Sequence, residues 1–154
     1  MSKQINQSPA PSSPTPFEVM FETRLYGEVT DLLLRARSYA LKCVANGESP
    51  LRGNRKQTKD LEALCARGWA AAEALRVTTR LNHGLAWLLL HRAIAAGELS
   101  EESLSEPQHH LPPRWGEDPT EAEASAALPN ELICLLRESR ALYIRLLRLD
   151  SRYA

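Results

Sequence analysis

Residues 75–98 read LRVTTRLNHGLAWLLLHRAIAAGE, and this stretch decides the fold. It holds no proline, and its only glycine before Gly97 is Gly84. The run is too polar to cross a bilayer. It is also too apolar for a helix with one wet face. Leu81, Leu85, Ala86, Leu88, Leu89, Leu90 and Ala93 spread over more than half of a helical circumference. One partner helix cannot cover that arc; two helices can, or one helix and a second subunit.

Working outward, Asp60 can cap this helix and Gly97 can stop it, which predicts a helix over 60–97, roughly 55 Å long. Its first half carries one stripe, Leu64, Gly68, Ala71, Ala72, Leu75 and Thr79. Upstream, Thr15-Pro16-Phe17-Glu18 has the form of a capped start with proline in the first turn. Phe21, Leu25, Val29, Leu32, Ala36, Tyr39 and Cys43 then recur at four and three, up to a stop at Asn46-Gly47, giving a helix over 16–46. Downstream, Leu128, Leu132, Leu135, Ser139, Leu142, Leu146 and Leu149 mark a helix over 129–150. A second stripe runs beside them, Ile133, Leu136, Ile144 and Leu147, broken by Arg140.

These patterns predict an all-α chain, one domain over 16–150, arranged as an up-down-up three-helix bundle with a long middle helix. The surplus apolar arc predicts a homodimer, its interface built from Leu81, Leu85, Leu88, Ile133, Leu136, Arg140, Ile144 and Leu147. A guanidinium inside an apolar stripe is costly unless paired, so Arg140 is expected to meet a carboxylate or an aromatic face across a helix or subunit contact. The blander alternative has its stem lying on the bundle and its head in water.

The remaining segments read as connections. Residues 1–15 are Ser, Pro, Gln and Asn with almost nothing to bury, so disorder is expected. Residues 48–59 form a basic loop carrying Arg52, Arg55, Lys56 and Lys59. Residues 98–127 hold eight acidic residues and Pro107, Pro112, Pro113 and Pro119, and are expected to form a flexible, solvated lobe. Within it, Ser100 is placed to cap a short helix over 101–105.

Nineteen basic residues balance nineteen acidic ones among 154, so the basic surplus typical of DNA-binding chains is missing. Cys43, Cys65 and Cys134 are too few and too scattered for a disulfide scaffold or zinc cluster. Each is expected to act as a small buried hydrophobe. No apolar signal core or membrane span is present, so a cytoplasmic protein is expected. His109-His110 are adjacent and lack a third ligand nearby, and His83 and His91 are eight apart on the middle helix. No convergent metal set, phosphate loop or nucleophile motif is found, so no cofactor, metal or catalytic residue is assigned and the chain is read as a non-enzyme.

One constellation stands out. Trp69, Glu73, Arg76, Arg80, His83 and Trp87 fall in a single wedge of the middle helix. Arginines bounded by tryptophans have the composition of a partner-binding ridge. Equally, the tryptophans can pack on the flanks of neighbouring helices while Glu73 pairs with Arg76. Thr78, Thr79 and Asn82, on the core-facing or boundary side, are explained by back-bonding and helix register without catalysis.

Arg76-Val77-Thr78-Thr79-Arg80-Leu81, then Ala86-Trp87-Leu88-Leu89-Leu90-His91-Arg92-Ala93-Ile94 and Gly97-Glu98, resemble the core helix of the regulator of CtrA degradation (RcdA-like) family of alphaproteobacteria. The final segment is also similar, in Leu128-Pro129, Ser139, Leu142-Tyr143 and Arg148-Leu149-Asp150. The resemblance implies a cytoplasmic dimer of three-helix protomers. It also implies an adaptor of cell-cycle control that helps deliver client proteins to the ClpX–ClpP protease, with no catalytic residues. The alternative is a small helical nucleic-acid-associated regulator that would use the 52–59 loop and the arginine-rich last helix.

Overall fold

The computed structural model describes residues 16–45, 61–116, 121–125 and 128–153. The N-terminal tail 1–15, the basic loop 48–59, the caps at Thr15 and Asp60 and the stop at Asn46-Gly47 lie outside the described residues, as do the side chains of Phe21 and Leu64. Among the described residues the chain is all-helical, with three long helices, α1 (Pro16–Ala45), α2 (Leu61–Ala95) and α4 (Asn130–Asp150), and a single turn, α3 (Glu121–Ala124). Three 3-10 turns, Glu101–Ser105, Pro107–His109 and Pro113–Trp115, lie between α2 and α3.

Each long helix packs against the other two around one core. Leu25, Val29 and Leu32 come from α1, Val77, Leu81 and Leu88 from α2, and Leu132, Leu136, Leu142 and Leu146 from α4. The predicted four-and-three spacing therefore does select the buried faces. Gly97 ends α2 as expected. At φ +74 it occupies the left-handed region, where its amide donates to Ile94 O and the Glu98 amide to Ala93 O. This is the reciprocal pair that closes a helix on a glycine.

The expected up-down-up order is corrected by the pairing between helices. Glu28, Arg35 and Lys42 on α1 meet Arg145, Glu138 and Glu131 on α4, one number rising by seven as the other falls by seven. These helices are antiparallel. α1 also runs against α2, with Arg92 5.1 Å over the Tyr26 ring near one end and Tyr39 sharing a cleft with Ala71 and Ala74 toward the other. Between α2 and α4 the numbers rise together. Arg80 Nη1 donates to Leu136 O at 3.1 Å, a Cβ added at Gly84 would fall 2.7 Å from Leu146 Cδ1, and Trp87 Nε1 donates to Asp150 Oδ1 at 2.8 Å. The order is up-down-down. Hydrophobic stripes give a helix its buried face but not its direction. The parallel α2–α4 pair obliges the chain between Ala95 and Asn130 to travel back along roughly 30 Å of helix, which accounts for its length.

That return segment is also the second correction. Residues 98–110 stay exposed or half-buried as a solvated lobe would, but the segment beyond them does not. Leu111, Ala122, Glu123 and Leu128 are buried, and Trp115 is packed against the core. The short helix expected at 101–105 is present as a 3-10 turn, although Ser100 makes no side-chain cap hydrogen bond. Cys65 and Cys134 are exposed and Cys43 half-buried, so the expectation of three buried thiols fails for two of them. Neither lies in the apolar stripe of its helix.

The antiparallel α1–α4 ladder is testable through Arg35 and Glu138, which bond through both guanidinium nitrogens and both carboxylate oxygens, the second at 2.9 Å. Arg35 holds the Glu138 carboxyl below its ordinary range. Because both side chains are near half exposed, R35E should lose about 1 kcal/mol or less, plus the repulsion it introduces. The exchange R35E/E138R should recover most of that loss in a denaturant titration. No recovery would refute the pairing.

Candidate functional site

The wedge of polar residues on α2 comes together, but beneath the returning chain and not at a free surface. Glu73, Arg80 and Trp87 are buried, while Trp69, Arg76 and His83 are half-buried. We call the described residues 110–116 and 121–125 the strap. It lies along the α2–α4 groove and runs opposite to α4. Leu111 N meets Asp150, Pro112 O accepts from Tyr143, and Glu123 meets Arg140 and Arg137. Each contact falls progressively earlier in α4 as the strap proceeds.

Two polar centres fasten the strap. The first is Asp150 at the end of α4. Its Oδ1 accepts from Trp87 Nε1 at 2.8 Å and lies 3.1 Å from His110 Nδ1, and its Oδ2 accepts from Leu111 N at 2.8 Å. One carboxylate thereby joins α2, α4 and the strap. Next to it His91 packs at a tilt against Trp87, with ring centroids 3.9 Å apart, and edge-on against Tyr153 at 4.7 Å. Burial pulls the His91 imidazole down to about 4, opposed by the Asp150 carboxylate.

The second centre is Arg80, only 2 % exposed. Its Nε donates to Trp115 O at 2.7 Å and its Nη1 to Leu136 O at 3.1 Å, with Glu123 Oε1 4.0 Å away. Burial lowers its pKa and the Glu123 carboxylate opposes the shift. Arg140 Nε lies 3.1 Å from both Glu123 oxygens. The expectation of a carboxylate partner for Arg140 is therefore met, and that partner is in the same chain. Glu73 does pair with Arg76, at 3.0 Å. Tyr143, whose phenol burial pushes up, donates to Pro112 O at 3.0 Å.

The residues expected at a dimer interface are largely used inside the protomer. Leu81, Leu88, Ile133 and Leu136 are buried, and Leu85, Arg140, Ile144 and Leu147 are half-buried. Of the apolar arc on α2, Leu81 and Leu88 are buried within the chain and Leu85, Leu90 and Ala93 are half-buried, while Ala86 and Leu89 stay exposed. Exposed large apolar side chains lie elsewhere: Leu34, Leu41 and Val44 on α1, Leu75 and Leu89 on α2, then Leu99 and Tyr153, with none on α4. Beside Leu75 opens an apolar cleft of about 380 Å³ between α1 and α2, lined by Ala36, Tyr39, Ala71, Ala74 and Leu132. Sequence reasoning missed Asp150, Glu123 and Trp115. The signal present was the handful of apolar residues, Leu111, Trp115 and Leu128, spaced through an otherwise polar connection.

The arrangement defines an all-helical protein whose buried polar groups cross-link its own chain, and in which no described helix is long and apolar enough to cross a membrane. The chain belongs to the family described as Protein of unknown function (DUF1465), whose model matches residues 23–154 and so takes in α2, α4, the strap and all but the first seven residues of α1. No curated protein and no solved structure matches it.

Two outcomes follow from the Asp150 centre. D150N removes a charge that Trp87 Nε1 and Leu111 N both donate to, and should cost about 1–3 kcal/mol. Hydrogen exchange should quicken over 98–116 more than within α1; uniform acceleration would contradict the assignment. For His91 the folded value lies below the ordinary 6.5, so the unfolded chain binds more protons between pH 6.5 and 4. Stability is then complete above that window and falls through it on acidification, by up to about 3 kcal/mol. H91Q should flatten this acid slope in thermal melts relative to wild type.

Proposed function

We propose that the protein is a non-enzymatic, homodimeric adaptor, an RcdA-like three-helix bundle that holds a client protein near the ClpX–ClpP protease in cell-cycle control. The observation that carries this reading is the distribution of apolar surface. Leu34, Leu41 and Val44 on α1 and Leu75 and Leu89 on α2 stand exposed, Leu75 at the edge of an open apolar cleft between the two helices, whereas Glu73, Arg80 and Trp87 of the α2 wedge are buried within the chain. Clustered exposed apolar side chains mark protein–protein contact. The sequence likeness of α2 and α4 supplies the protease as the partner. The mechanism is effective concentration: a client and an unfoldase held on one scaffold meet intramolecularly.

The dimer is assigned to the outer faces of α1 and α2 in place of the α2–α4 face, which the strap occupies. L75E together with L41E should convert a sedimenting dimer to a folded monomer at micromolar concentration, with helical circular dichroism retained. A wild-type chain that sediments as a monomer removes the dimer. For the adaptor role, purified ClpX–ClpP should degrade clients captured from the native cytoplasm faster when this protein is added. Unchanged rates across all captured proteins would remove that role.

A further inference from the structure

Glu123 is only 3 % exposed, yet it faces more positive charge than it carries. Arg140 Nε meets both its oxygens at 3.1 Å, Arg80 Nη1 stands 4.0 Å away, and Arg137 donates to its backbone carbonyl. The turn that delivers it, α3, is four residues long, and Ala122 and Glu123 are its buried members. An alanine brings little apolar area, so the seating of α3 depends mainly on the carboxylate. Nearby, Trp115 Nε1 is buried with no hydrogen-bond partner among the described residues, so the strap's fit to the groove leaves one donor unsatisfied.

We propose that the Arg80–Arg140 groove between α2 and α4 is a receptor for an acidic segment of a partner protein, and that α3 is the chain's own competitor for it. The present occupant shows the chemistry the groove takes. It is a carboxylate on a short helical turn flanked by alanines, Glu121-Ala122-Glu123-Ala124. Two guanidiniums facing one carboxylate leave the groove cationic when α3 lifts, and guanidinium geometry suits a carboxylate. A phosphate backbone is a poorer fit, because tracking it takes an extended basic surface and this chain carries no net charge. Competition from a tethered segment lowers the apparent affinity by the fraction of molecules that are open, so the groove is gated by design of the chain.

The inference deepens the adaptor reading by naming a contact for a client. Its test contains no protease, so either can fail alone. A fluorescein-labelled peptide with the chain's own residues 119–128, PTEAEASAAL, is titrated into full-length protein and read by anisotropy. E123Q should bind the peptide at least tenfold more tightly than wild type. The gain should vanish in E123Q/R140Q, and also when the glutamate matching Glu123 is glutamine in the peptide. Equal binding by wild type and E123Q overturns the proposal, as does displacement of the peptide by a single-stranded oligonucleotide at physiological salt. Should E123Q fail to fold, native-state hydrogen exchange of the wild type decides. Amides 121–124 should exchange through an opening that leaves α4 protected, and exchange only on global unfolding overturns it.

Discussion

Arg80 is a permanently charged group held almost entirely out of water, and three separate parts of the chain must converge to keep it there. A lone buried guanidinium is among the most expensive things a small protein can contain, since removing its partners typically loses about 3–5 kcal/mol. Here α4 offers Leu136 O, the strap offers Trp115 O, and α3 brings the Glu123 carboxylate within 4.0 Å. Each acceptor is available only if α2 and α4 run parallel and the strap returns through their groove. The topology and the satisfaction of Arg80 are therefore one constraint. Asp150 repeats the logic at the far end of the groove with the sign reversed, a carboxylate gathering donors from α2 and the strap.

This constraint also explains where the free surface falls. α4 is flanked by α1, α2 and the strap and exposes no large apolar side chain. Among the described residues, Leu34 and Leu41 on α1 and Leu75 and Leu89 on α2 remain exposed. An α2–α4 groove filled from within leaves α1 and α2 as the faces open to another molecule. The antiparallel ladder of Glu28, Arg35 and Lys42 with Arg145, Glu138 and Glu131 fixes the register of α1 on α4 while contributing little energy at such exposure.

Helix positions were legible because they rest on local chemistry. The spacing at Leu25, Val29 and Leu32 and the stop at Gly97 need no knowledge of the rest of the fold. Helix direction was not legible, because Leu142 and Leu146 would mark the same face whichever way α4 ran. The strap was misjudged for a related reason. Acidic residues and prolines predict solvent exposure on average, yet burial is decided by a few positions such as Leu111, Ala122 and Leu128. Glu123 illustrates the limit most sharply. In sequence it is one of eight acids between Glu98 and Ala127, and nothing local separates it from Glu121, which is exposed two residues earlier.

Tryptophan and arginine together on one helix face signal an interface, but the composition does not say whose. Trp87 and Arg80 have the features of binding hot spots: large buried area, directional donors and exclusion of water. The surface they recognise belongs to the same chain. An intramolecular interface is sustained by high effective concentration and need not be individually strong. α3 fits that description, since it is seated by the Glu123 carboxylate on Arg140 and Arg80, an Arg137 hydrogen bond to the Glu123 carbonyl and one buried alanine. A groove that recognises its own segment by charge and not by apolar bulk has not been optimised for permanence. The same two arginines that stabilise the closed fold leave the groove chemically competent toward any carboxylate presented in the same geometry.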